Sequence, residues 1–85
     1  MIDDILKERN ARYGDFAAEA KIAQRLKNAL RDSEALLNFT HRQALDMICT
    51  KLARIANGDP NYPDNWADII GYCTLVLRDI EEREK

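Results

Sequence analysis

Lys51-Leu52-Ala53-Arg54-Ile55-Ala56-Asn57-Gly58-Asp59-Pro60 is followed after a few residues by Asp64-Asn65-Trp66-Ala67-Asp68-Ile69-Ile70-Gly71-Tyr72. The first stretch closes an amphipathic helix that carries a basic pair, Lys51 and Arg54. Gly58 and Pro60 turn the chain, and the second stretch opens another helix. Asp64 and Asp68 stand four residues apart there, so they share a helix face beside the basic pair. Carboxylates and cations brought together across a short turn suit phosphate, a metal ion, or both.

Working outward, Thr40-His41-Arg42-Gln43 fits a Thr-x-x-Gln capping box, which places the start of the third helix at Thr40. Leu45, Ile48, Cys49, Leu52, Ile55 and Ala56 then form one apolar stripe that ends at Gly58, with Lys51 and Arg54 off it. The fourth helix is expected from about Asp64, its N-cap or a ligand, to Arg83. Trp66, Ile69, Cys73, Val76 and Ile80 form its apolar face, and Ile70, Leu75 and Leu77 extend that face nearly around the helix. Asp68 is therefore expected to be buried and to need a cation or a metal, with Lys51 and Arg54 the nearest cations. Gly71, inside this helix, suggests close approach of another backbone or a ligand. Trp66 and Tyr72 read as core or interface residues.

Toward the amino terminus, Ile2 to about Arg12 is a short charged helix stopped at Gly14, and Asp15 caps a second helix that runs from Phe16 to about Leu30. Tyr13-Gly14-Asp15 reads first as a structural helix stop and cap, with stacking of Tyr13 on a base as the alternative. Phe16, Ile22, Ala23, Leu26 and Leu30 recur at three- and four-residue intervals. The stretch from Arg31 to Phe39 reads as a loop with one helical turn, and His41 as a packed or capping residue. The charged run from Arg78 to Lys85 is a solvated helix end.

The composition agrees with one small all-α domain spanning residues 1–85. At 46% hydrophobic and 33% charged, the chain is neither disordered nor a membrane span. A net charge of −2, with no basic recognition helix, argues against a nucleic-acid partner. Met1-Ile2-Asp3-Asp4 lacks the basic start of a signal peptide, so an intracellular protein is expected. Cys49 and Cys73 both fall on apolar faces, which predicts buried thiols rather than a disulfide or a zinc site. The small core and the broad apolar surface of the fourth helix predict self-association, as a dimer at least.

Three segments together carry a resemblance: Glu8-Arg9 to Arg12-Tyr13-Gly14-Asp15, Ala44-Leu45-Asp46-Met47-Ile48 to Lys51-Leu52-Ala53-Arg54-Ile55, and Asp64-Asn65-Trp66-Ala67-Asp68-Ile69-Ile70-Gly71-Tyr72. Over nearly the whole chain they resemble a family of small phage and prophage proteins. That family is in turn similar to MazG-like nucleoside triphosphate pyrophosphohydrolases and to a phage nucleotide-modification-associated domain. The resemblance implies a four-helix, MazG-like bundle, usually oligomeric, in the cytoplasm of a bacterial host. It implies magnesium held by acidic side chains and a nucleotide or nucleotide-derived ligand. Magnesium takes oxygen ligands and neutralises phosphates while activating water.

Carried onto this chain, the resemblance makes Asp46, Asp64 and Asp68 the metal ligands and Lys51, Arg54, Tyr13 and Asp15 the ligand-binding residues. The MazG-like family usually carries an E-x-x-E motif on one helix and an E-x-x-D motif on the next; Asp68 matches the last acid of the second motif, while Asp64 lies one position before its first acid. Asp46 is the only acid on the third helix, and Lys51 and Arg54 stand where further acids are usual; Asp15 or Glu19 would have to complete a metal cage. Three readings follow: a magnesium-dependent pyrophosphohydrolase, a protein that sequesters a nucleotide or a nucleotide-derived signal, and a structural helical module.

Overall fold

The computed structural model describes residues 1–33 and 36–84, and within them it is all-α. Helix α1 spans Ile2–Tyr13, α2 Phe16–Arg31, α3 Phe39–Asn57 and α4 Pro63–Arg83. Glu34 and Ala35, in the expected loop with its helical turn, lie outside the described residues, as does Lys85.

Local chemistry accounts for the boundaries. Gly14 follows α1 with a φ of 77°, and its amide donates to the Asn10 carbonyl at 2.8 Å. Asp15 caps α2 by accepting from the Ala18 amide at 3.0 Å. Helix α3 begins before the expected Thr40. The side chain of Asn38 accepts from the His41 amide at 2.9 Å, and the Asn38 amide donates to His41 Nδ1 at 3.2 Å. This is a reciprocal capping box, two residues earlier than Thr40. His41 is accordingly a capping residue. Asp64 is not the cap of α4, because Pro63 takes the first turn, where its missing N–H costs nothing, and Tyr62 is the N-cap. The connecting turn is an Asx turn, with the Asn61 amide donating to Asp59 Oδ1 at 2.9 Å.

Helix α3 is central, with α2 and α4 both packed against it. The start of α2 meets the end of α3 through Glu19 and Arg54, and Lys51 near the turn meets Asp68 early in α4. Both neighbours therefore run antiparallel to α3. The buried apolar residues are small: Ala23, Ala44, Cys49 and Ala53. Small side chains let helix axes approach closely, but they provide little apolar volume. Helix α1 buries no residue.

Three expectations about α4 are corrected by this arrangement. Cys73 is exposed, whereas Cys49 is buried. Asp68 is 46% exposed rather than buried, because α4 packs on α3 along one face only. A Cβ at Gly71 would meet nothing within 4 Å, so no close approach among the described residues accounts for that glycine. The buried face of α4 instead carries Asn65, 1% exposed, whose Nδ2 has no hydrogen-bond partner among the described residues.

Candidate functional site

The bend between α1 and α2 is pressed onto the carboxyl end of α3 by backbone contact. Asn57 Nδ2 donates to the carbonyls of Tyr13 and Asp15 at 3.0 and 2.9 Å, and the Asp59 amide donates to the Arg12 carbonyl at 2.8 Å. Two glycines make this possible. A Cβ on Gly14 would stand 2.1 Å from the Asn57 carbonyl oxygen, and one on Gly58 would stand 2.2 Å from that of Arg12. The clasp holds Tyr13 over the end of α3.

Around Tyr13 lies a cluster of guanidinium and phenol groups. Arg54 Cζ sits 4.4 Å from the Tyr13 ring centroid and Arg9 Cζ 5.3 Å from it. Tyr62 meets Tyr13 edge-on, with centroids 6.1 Å apart, and Arg12 lies over the Tyr62 ring at 4.9 Å. Arg12 is also paired with Glu8. Arg54 is oriented by Glu19, with Nε 2.9 Å from Oε1, and Glu19 is only 5% exposed. The planar guanidinium thus satisfies a buried carboxylate with one nitrogen while its face rests on an aromatic ring. Lys7 and Arg9 have no carboxylate partner among the described residues.

Lys7, Arg9, Tyr13 and Glu19 line a cleft of about 440 Å³ between α1 and α2, together with Asn10, Asp15 and Phe16 among others. Phe16, at its rim, is 74% exposed. Unpaired cations beside aromatic rings suit a ligand that is both planar and anionic.

Tyr62 is held in its neutral form. Its hydroxyl donates to Asp64 Oδ2 at 2.8 Å, which raises the phenol above its ordinary value; partial desolvation adds to the rise, and the nearby Arg12 opposes it. Because the folded value is raised, the stabilisation is complete below the unfolded phenol's titration and is lost as pH rises through the folded one. Asp64→Ala should return the tyrosinate absorbance titration of Tyr62 toward the ordinary phenol range. An unshifted curve would show that this bond does not control the phenol.

Of the residues singled out from sequence, Tyr13, Asp15 and Arg54 come together at the clasp, where Asp15 contributes its carbonyl to Asn57 and its side chain to the cap of α2. Lys51 does not join them. Its Nζ lies 2.9 Å from Asp68 Oδ2, so the expected cluster of Asp68 with both cations divides into two separate ion pairs. Asp64 is engaged by Tyr62, and Asp46 is a half-buried residue of α3 whose carbonyl accepts from Thr50 Oγ1. Among the described residues, no three His, Cys, Asp or Glu side chains gather in a group able to hold a metal ion.

Sequence reasoning did not assign Arg9, Asn57 or Tyr62 to the site, and it raised Glu19 only as a possible metal ligand. For Glu19 a signal existed. Residues 16, 19, 23, 26 and 30 follow three-four spacing, so Glu19 occupies a core position in the α2 stripe, where an acid requires a counter-ion.

The chain belongs to the family described as a domain of unknown function (DUF6378), whose profile matches residues 3–79. No curated protein and no solved structure matches it.

Proposed function

For this member of a family of unknown function, we propose binding of a nucleotide or nucleotide-derived ligand in the cleft between α1 and α2. Phe16, exposed at the rim, offers a ring face to the base, Tyr13 lines the cleft beneath Arg9, and Lys7 and Arg9 take the phosphate. The observation that carries this reading is Arg9, which lies over Tyr13 with no carboxylate partner among the described residues, at the mouth of a cleft of about 440 Å³. Arg54 takes a positioning role, because Glu19 already engages it and its face supports Tyr13.

Retention of the ligand without turnover is the reading favoured by the carboxylates. Asp68 is engaged by Lys51 and Asp64 by Tyr62, and Asp46 completes no metal group with them among the described residues. The resemblance to small phage and prophage proteins supports a nucleotide-sequestering role in the cytoplasm of an infected bacterial host. No helix among the described residues is long and apolar enough to cross a membrane. The uncovered apolar surface of α4 supports a self-associated binding unit.

Incubation with a panel of nucleoside mono-, di- and triphosphates, with and without magnesium or manganese, tests the proposal when both retention and product formation are followed. Retention without product is expected. Arg9→Ala should weaken it about ten- to a hundredfold, the loss expected for one charge-assisted hydrogen bond. Metal-dependent release of pyrophosphate would move the chain to the pyrophosphohydrolase reading. Failure to retain any nucleotide would overturn nucleotide binding.

A further inference from the structure

The single chain leaves too much surface open for a closed globule. Its accessible surface is 6283 Å², roughly 1100 Å² above the about 5200 Å² expected for a compact monomer of this mass. Its radius of gyration is 14.8 Å, where about 12 Å is expected for a compact chain of this length. The excess is comparable with the roughly 800 Å² each partner loses in a standard interface.

The open apolar surface has a defined place on α4. Trp66, Ile70, Cys73 and Leu77 follow four-three-four spacing, so they form one stripe adjacent to the face packed on α3. Trp66 is 51% exposed, Ile70 68% and Leu77 56%, and Cys73 is also exposed. Beside this stripe runs an apolar groove of about 390 Å³ between α3 and α4, lined by Leu45, Ile48, Cys73, Leu77 and Ile80 among others. A ridge next to a groove of the same chemistry is self-complementary, as an isologous contact requires.

We propose that a second copy of this chain covers this face, with the two α4 helices antiparallel about a two-fold axis between Ile70 and Cys73. The ridge of each copy then enters the groove of the other, so that Trp66 lies opposite Leu77 of the second copy and Ile70 opposite Cys73. Charge selects the antiparallel arrangement. The stripe continues beyond Leu77 as Glu81 and Glu84, which a parallel pairing would set against their own copies. Antiparallel pairing separates each of those carboxylates from its own copy on the other α4. The inference rests on the self-association proposed above and is independent of nucleotide binding.

Light scattering at micromolar concentration should give twice the 9.8 kDa chain mass. Ile70→Glu and Leu77→Glu should each raise the dimer dissociation constant at least about a hundredfold, because each places a charge at the centre of the interface. Helical circular dichroism establishes that each variant remains folded. A monofunctional maleimide should react with Cys73 much more slowly in the wild-type dimer than in Ile70→Glu, because the interface covers that thiol, while Cys49 stays protected by burial in both. A monomeric wild-type mass would overturn both the self-association and this interface. A dimer that persists in both glutamate variants, or a wild-type dimer in which Cys73 reacts as fast as in Ile70→Glu, would overturn this interface alone.

Discussion

Arg54→Ala should destabilise the fold by about 3 to 5 kcal/mol, the range for removing one member of a buried ion pair. Glu19 is 5% exposed, and Arg54 supplies its counter-ion at 2.9 Å. Truncation to alanine leaves that carboxylate uncompensated and also withdraws the planar group on which Tyr13 rests. Asp68→Asn provides the contrast. Asp68 is 46% exposed, so water replaces much of what Lys51 gives it, and the loss should be about 1 kcal/mol or less. Replacing Glu19 and Arg54 together by methionine should recover much of the single-variant loss, because an apolar pair leaves no buried charge. Urea denaturation at one fixed chain concentration measures all four proteins on the same footing. The buried-pair account fails if Arg54→Ala costs no more than Asp68→Asn.

The helices were legible because their signals are local. Apolar spacing marked each face, and Gly14, Asp15 and Gly58 marked helix ends that occur where expected. The starts of α3 and α4 were displaced for an equally local reason: two capping chemistries competed at each. Asn38 with His41 prevailed over Thr40 with Gln43, and Pro63 after Tyr62 prevailed over Asp64. The site was less legible because its pairings are not local. Arg54 and Glu19 are 35 residues apart in sequence, and only the antiparallel docking of α2 on α3 shows that Arg54 faces Glu19 rather than Asp68. The burial expected for Asp68 failed because apolar neighbours along α4 were counted as though the chain itself covered every face. It covers one, and the stripe through Trp66, Ile70 and Leu77 remains open. That same open stripe is the basis for assigning the second face of α4 to another copy.

Gly58→Ala should also be strongly destabilising, by about 2 to 4 kcal/mol, although glycine to alanine at an unstrained position usually gains about 0.4 to 1 kcal/mol through the unfolded chain. The φ of Gly58 is −123°, a value any residue adopts, so backbone strain is not the cause. The cause is contact. A Cβ there would lie 2.2 Å from the Arg12 carbonyl oxygen and 2.4 Å from Tyr13 Cα, both backbone atoms that no side-chain rotation can move aside. The α1–α2 bend must therefore lift from α3, which puts at risk the Asp59 amide bond to Arg12 and the two bonds from Asn57, each contributing about 1 kcal/mol. Tyr13 would move from Arg54 at the same time, so any nucleotide retention should fall together with stability. The expected signature is a lowered Tm, with hydrogen exchange at the Asp59 amide accelerated well beyond that in the middle of α3. Unchanged exchange at Asp59 together with an unchanged Tm would mean that the clasp does not hold α1 and α2 in place.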